Sequence, residues 1–340
     1  MSLLIEQVTT RTAADRWQRL SQICADADYY ELPADPLQAV YEHIESGRSD
    51  ERYELWLGYV GGEPVVLGEI KLPLLDNVSN AVVDIVTHPA FRRRGYATAM
   101  FAHITERARA NDRSRLIGEV CEPVARDLQG TVPGVAFATV AGAKPVTSEV
   151  RRVLRIAELD DDLLAQLRDD AVAHSQDYSL LQWDGAAPAE LVDDLAILYS
   201  RMSIDAPLEE LDWEPEQWSA ERYREQEKRI VVSGQQRFST AARHEGSGQI
   251  VALTDIGVAH ALPDSAYQWS TIVLPEHRGH RLGMRVKLAN LEFLRRSRPR
   301  VSMVNTWNAA INDHMVSINE AMGFRAVERW REWQLELPSQ

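Results

Sequence analysis

The sequence predicts an α/β chain in which one sheet-and-helix unit occurs twice in tandem. Three observations predict it. A basic stretch recurs at a fixed offset, strand and helix patterns recur around it, and 340 residues suit two cores of about 150 to 170 residues better than one.

The basic stretch reads HPAFRRRGYATAMF, from His88 to Phe101, and its second version reads LPEHRGHRLGMRVKL, from Leu274 to Leu288. Pro89 pairs with Pro275, Arg92 with Arg278 and Ala97 with Gly283, all at one offset along the chain. Before the first copy, ELWLGYV, the turn GGE and PVVLGEIKL read as a hairpin, and AVVDIVT as a third strand. Before the second, RFSTAARH, the turn EGSGQ and IVALTDIGV form the hairpin and YQWSTIVL the third strand.

A helix follows each basic loop. Ala97, Met100, Phe101, Ile104 and Ala108 make the apolar stripe of the first. Leu282, Val286, Ala289 and Phe293 make that of the second, with Met284, Leu288 and Leu291 beside it. Then come a strand (SRLIGEV, RVSMVNT), a segment ending at Gly142 or Gly323, and a closing strand (VRRVLRI, RWREWQLEL). The charged, helix-periodic segment 157–176 reads as a connection, so the expected domains are residues 1–156 and 177–340.

A formal net charge of −14 argues against a nucleic-acid binder, because phosphate contacts supply most non-specific nucleic-acid affinity. It favours steering of a cationic small molecule or basic peptide. No apolar run approaches the roughly 20 residues of a membrane span, and the first residues lack a signal pattern, so a cytoplasmic protein is expected. With only Cys24 and Cys121, neither a disulfide framework nor a cysteine-based metal site is expected.

Why an acidic chain clusters Arg92, Arg93 and Arg94 before Gly95 has a local answer. The first N–H groups of a helix lack intrahelical acceptors and the helix dipole adds partial positive charge, so a phosphate fits there. Gly95 lets that ligand approach the backbone, and the arginines add charge-assisted hydrogen bonds. The loop is neither GxxxxGK[ST] nor GxGxxG.

The spacing Arg92-x-x-Gly95-x-Ala97 after a strand ending Thr87-His88-Pro89 resembles the signature of the GNAT superfamily of N-acetyltransferases. The resemblance covers nearly the whole chain, twice, and is greatest to actinobacterial tandem GNAT proteins, including the mycothiol synthase type. It implies two mixed, mostly antiparallel twisted sheets flanked by helices. It also implies acetyl-coenzyme A as co-substrate, no metal, its pyrophosphate wrapped by the loop, and pantetheine lying between two splayed parallel strands.

Carried over by position, the cofactor residues are Val86, Thr87, Arg92, Arg93, Arg94, Gly95, Tyr96, Ala97 and Thr98 in the first half. In the second they are Val273, Arg278, Gly279, His280, Arg281, Leu282, Gly283, Asn312 and Asn319. Arg281 stands where the first loop has Gly95, so the first loop is expected to bind more tightly. The family's closing motif, Asn-x-x-Ala-x-x-x-Tyr-x-x-x-Gly-Phe, is similar to Asn312-x-x-Met315-x-x-x-Asn319-x-x-x-Gly323-Phe324, but Asn319 replaces the proton-donating tyrosine. In the first half that position is Ala138.

Asp84, Glu119 and Glu122 are the candidate bases of the first half, and His280 or His314 those of the second. The expected function is transfer of an acyl group, acetyl above all, to a primary amine of a small molecule or peptide. The alternative is a non-catalytic acyl-coenzyme A sensor or scaffold. The acceptor, expected to contact variable segments such as Ala25 to Glu45 and Pro207 to Arg229, is not legible, nor is the oligomeric state.

Overall fold

The computed structural model describes residues 2–124, 132–205 and 209–338. The first half carries β1 (Leu4–Gln7), α1 (Arg11–Asp28), α2 (Leu37–Glu45), β2 (Glu51–Val60), β3 (Glu63–Pro73) and β4 (Asn80–Thr87). It continues with α3 (Tyr96–Ala110), β5 (Arg115–Pro123), α4 (Pro133–Val140) and β6 (Lys144–Arg155). The second carries α5 (Asp161–Ala173), β7 (Tyr178–Asp184), α6 (Val192–Asp205), α7 (Ala220–Val232), β8 (Gln235–His244), β9 (Ile250–Ala259) and β10 (Ser265–Val273). After it come α8 (Leu282–Ser297), β11 (Met303–Ala309), α9 (Asp313–Ala321) and β12 (Arg325–Glu336).

The chain forms two compact units that do not follow its halves. The first comprises Met1–Glu149, Leu208–Glu214 and Val327–Gln340, the second Val150–Pro207 and Pro215–Ala326. The closing strand of the second half thus belongs to the first unit, where β12 runs antiparallel to β5 from Glu328↔Pro123 to Glu336↔Arg115. Conversely, residues 150–155 of β6 belong to the second unit. Apolar alternation marks a strand but not its neighbour, so the exchange has no signature in the pattern. The segment read as a connection becomes α5, whose Leu164, Leu167 and Ala171 pack on the second unit's core. Asp160 caps it by accepting from Leu163 N, and Asp161 and Asp162 suit its first turn.

In the first unit β1–β2, β2–β3, β3–β4 and β5–β12 are antiparallel and β4–β5 is parallel. In the second, β7–β8, β8–β9 and β9–β10 are antiparallel and β10–β11 is parallel. The strand pairing within each unit is therefore mixed and mostly antiparallel. Helix α3 buries Met100, Ile104 and Ala108 against Val65, Val66 and Ile70 of β3. Helix α8 is buried more widely than its expected stripe. Lys287, Asn290 and Leu294 are buried, while Ala289 and Phe293 are only half-buried, because the helix is covered on more than one side.

Candidate active site

The two basic loops have one backbone course. Arg93 and Gly95 adopt left-handed φ values of 62° and 86°, and their counterparts at the repeat offset, Gly279 and Arg281, adopt 86° and 54°. Each loop thus places glycine at one left-handed position and arginine at the other. The expected crowding at Arg281 is relieved, because its guanidinium is drawn to Asp170 of α5, Nη1 to Oδ2 at 2.7 Å. A Cβ built on Gly95 or Gly279 meets nothing within 4 Å, so both loops face open space.

The first arginine of each loop anchors it. Arg92 Nε donates to Thr87 O at 3.1 Å and Nη2 to Asp28 at the end of α1 at 2.6 Å. Arg278 Nε donates to Val273 O at 3.4 Å and Nη2 to Asp205 at the end of α6 at 2.7 Å. Arg94 donates to Ala90 O and lies over the Phe91 ring. Arg93 is exposed and makes no side-chain hydrogen bond or ion pair among the described residues. Gly95 and Arg281 are the N-caps of α3 and α8, and neither offers a side-chain acceptor. The N–H groups of Tyr96, Ala97 and Thr98, and of Leu282, Gly283 and Met284, therefore lack intrahelical acceptors.

Beside each loop the two parallel strands part. β4 pairs with β5 only from Asn80↔Arg115 to Val82↔Ile117, and β10 with β11 only from Ser265↔Met303 to Gln268↔Thr306. Val82 and Gln268, where the pairing stops, are again counterparts at the repeat offset. Beyond them one edge of each strand is released, and Val86, Thr87 and Val273 lie on the released segments. Thr87 Oγ1 is buried without a partner, a free polar atom at the head of the first loop. Free helix N–H groups, open space and unpaired strand edges together suit a phosphate-bearing ligand with an extended amide arm.

In the first unit carboxylates gather at this opening. Glu69 of β3 stands directly opposite Asp84 of β4, and Glu119 of β5 opposite Glu332 of β12. Asp84 and Glu119 are exposed to water at their tips, yet neighbouring elements crowd the strands that carry them. Burial pushes Asp84 up to about 6, with Asp35 adding and a hydrogen bond from Ile85 N opposing. Burial, then Glu332 and Asp84, pushes Glu119 up to about 7, while Lys71 opposes. Burial, then Asp84 and Asp35, pushes Glu69 to about 8, and burial carries Glu149 and Glu332 to about 7. Carboxylates this close share protons as a group. Tyr29, its ring tilted against Trp330 with centroids 5.0 Å apart, lies within electrostatic reach of Asp84 and Glu119. Glu122 instead pairs with Arg331, Nε to Oε1 at 2.7 Å.

The second unit fills the corresponding space. Asp255, the counterpart of Glu69, is wholly buried and accepts from Ser239 Oγ at 2.5 Å and Tyr199 OH at 2.9 Å. Ser270 stands where the first unit has Asp84. Tyr199 packs on Trp218 and Tyr223, with centroids 4.9 and 5.2 Å apart. Trp218 of the segment expected to contact the acceptor thus packs around a satisfied carboxylate. Pro207 and Leu208 of that segment lie outside the described residues.

Asn312 caps α9, its Oδ1 accepting from Met315 N at 3.2 Å. Asn319 is wholly buried and donates to Asn308 Oδ1 at 2.5 Å. His314 is exposed on α9. Sequence reasoning missed Glu69, Glu149, Glu332 and Tyr29. The Glu69↔Asp84 pair depends on the register of β3 against the third strand β4, and Glu332 reaches the group only through the exchanged strand. Among the described residues no group of three or more His, Cys, Asp or Glu is arranged to hold a metal ion, and no helix is long and apolar enough to cross a membrane.

Residues 17–127 match the model of the Acetyltransferase (GNAT) family. Among solved structures, a tandem GNAT protein from the clavulanic acid biosynthesis pathway is 26% identical, each chain covered over 100%, with a TM-score of 0.83. A GCN5-related N-acetyltransferase from Sphaerobacter thermophilus is 13% identical over 99% of this chain and 97% of its own, with a TM-score of 0.67. A glucosamine N-acetyltransferase region of a fungal multi-domain β-N-acetylglucosaminidase is 10% identical over 98% of this chain and 38% of its own, at 0.66. No curated protein matches the chain. A GNAT family segment thus lies in the first half, and the chain as a whole is similar to a tandem GNAT protein. The resemblance to the mycothiol synthase type finds no support in these comparisons.

Proposed function

We propose that the chain transfers an acetyl group from acetyl-coenzyme A to a primary amine of a small molecule or peptide, and that the first unit carries out the transfer. The carrying observation is the carboxylate group of Glu69, Asp84 and Glu119 at the parted strands beside the loop. The free N–H groups of Tyr96, Ala97 and Thr98, with Arg93, hold the pyrophosphate, while Arg92 fixes the loop. The released edge of β4 supplies backbone groups for the pantetheine amides and an N–H for the acetyl carbonyl.

Acetyl-coenzyme A supplies an activated acyl carbon. The amine must attack as the neutral base, and groups titrating between about 6 and 8 take up its proton near neutrality. The C–S bond then breaks and the thiolate takes a proton. The acidic opening draws a cationic amine toward the site before deprotonation.

A second reading, a unit that binds acyl-coenzyme A without catalysis, is favoured for the second unit alone. It has the loop and the parted strands, but Tyr199, Ser239 and Asp255 satisfy one another where the first unit is open. A thiol-release assay over a panel of amines, run on the native chain and on Asp84→Asn, tests both. Release that requires an amine and falls in the variant supports transfer in the first unit. Binding of acetyl-coenzyme A without release under any amine supports the binding-only reading for the whole chain.

A further inference from the structure

The second loop differs from the first in the kind of charge it carries. Phe91 and Arg94 of the first loop correspond, at the repeat offset, to His277 and His280. A third histidine, His244 at the end of β8, approaches His277 with ring centroids 4.9 Å apart. Tyr178 of β7 joins all three, its ring 5.3 Å from His244, 5.7 Å from His277 and 5.5 Å from His280.

The contacts leave the histidines ready for an anion. Tyr178 OH and His277 Nδ1 share a hydrogen bond of 2.9 Å whose donor is set by the His277 tautomer, and burial, with Asp177 adding, holds the phenol above its ordinary value. His277 Nε2 makes no hydrogen bond or ion pair among the described residues and is free to donate to a ligand. His244 Nδ1 contacts Ser247 Oγ at 3.0 Å. His280 is exposed, and His277 and His244 are half-buried, so a ligand reaches them.

The surrounding charges are mostly committed. Arg278 is paired with Asp205 and Arg281 with Asp170, and Arg285 of α8 donates to Ser175 and to Tyr178 O. The acids nearby are Glu276 in the turn before the loop, Asp177 before β7 and Glu245 after β8, with His174 paired to Asp170 at the end of α5. Burial, then the like charges of His244 and His280, holds His277 below its ordinary value, with Glu276 opposing. The first loop has Gly58 at the position of His244, and its cations are arginines that do not titrate in the physiological range.

We propose that His244, His277 and His280, gathered on Tyr178, form a titratable phosphoryl-binding site at the second loop, so that the second unit takes up coenzyme A phosphates in their protonated state. This rests on the reading of both loops as coenzyme A phosphate sites. A phosphate there stabilises the imidazolium forms, so binding takes up protons, and affinity rises as pH falls from 8 toward 6. The same chain carrying His277→Phe and His280→Arg, whose second loop holds no histidine, is the internal reference. It also corrects for the ligand's own phosphomonoester, which loses charge near pH 6.

The test is calorimetric titration of the full chain carrying Gly95→Asp, which isolates the second loop, with coenzyme A at pH 6.0 and 8.0. Repeating it in buffers of different ionisation enthalpy counts the protons taken up. About tenfold tighter binding at pH 6.0, with net proton uptake, is expected. Inorganic pyrophosphate should compete with the same pH dependence. Adding His277→Phe and His280→Arg, the first loop's residues, should remove both the pH dependence and the uptake while binding persists. Affinities within twofold at the two pH values, or a dependence that survives these replacements, overturn the site. If the Gly95→Asp chain binds nothing while the native chain binds, the site fails and the first-loop reading stands. If the native chain binds no coenzyme A, both fail.

Discussion

Replacing Gly95 by Asp separates the ligand's requirements from those of folding. The residue has a left-handed φ of 86°, where a side chain costs about 1–2 kcal/mol and Asp is among the better tolerated. Its Cβ would meet nothing within 4 Å, and Arg281 already occupies the equivalent position at φ 54°. The folded chain therefore accepts the change with a small loss of stability. The same open space is where the free N–H groups of Tyr96, Ala97 and Thr98 point a phosphate, and the new carboxylate opposes it in both volume and charge. Losing even one charge-assisted hydrogen bond, about 1.5–3 kcal/mol, weakens binding at least tenfold. Titration of acetyl-coenzyme A into native and variant chains reads this directly, with Gly95→Ala separating backbone strain from charge. Native affinity at an unchanged number of sites in the Asp variant would refute the loop as the phosphate cradle.

Asp84→Asn should lower kcat/KM by roughly 10²–10⁴. It should also alter the acidic limb of the native rate profile, where activity rises with pH through about 6 as the raised carboxylate ionises; an unchanged profile removes Asp84 from the proton path. Tyr199→Phe should destabilise the chain by about 1–3 kcal/mol in urea melts, because the buried Asp255 loses a donor, without altering coenzyme binding at the first loop. Stability of the ligand-free chain should fall as pH rises from 6 to 8.5. Glu69, Glu119, Glu149 and Glu332 hold protons in the folded state that the unfolded chain has released, so their contribution is full below about 4.5 and lost through about 7 to 8. Thermal melts across that range check the slope, and Glu69→Gln should flatten it.

How far the sequence could be read follows from which information is local. The hairpins, the third strands, the basic loops and the helices after them are specified by alternation, turn residues and a 3.6-residue period, all short-range properties. They lie where the pattern put them. The exchange of β12 and the end of β6 between units is a choice of partner, which strand patterns do not encode. Arg281 is an intermediate case. One left-handed position in each loop is glycine and the other arginine, in opposite order, so the substitution that looked like a defect preserves the backbone course.

The difference between the carboxylates of the two units is the least local of all. Glu69 and Asp255 are both carboxylates at matching positions on the second strand of a hairpin, and nothing in either hairpin distinguishes them. Their roles diverge through what the rest of the fold brings. Tyr199 from α6 and Ser239 from β8 satisfy Asp255 and bury it, whereas Glu69 meets Asp84, with Glu119 and Glu332 beyond the parted strands. Asp255 spends its oxygens on two donors inside the core, whereas Glu69, set among other carboxylates, is pushed up to about 8 and exchanges protons near neutrality. A duplicated frame thus holds an open carboxylate group in one unit and a packed carboxylate in the other, through neighbours contributed by other elements of each unit.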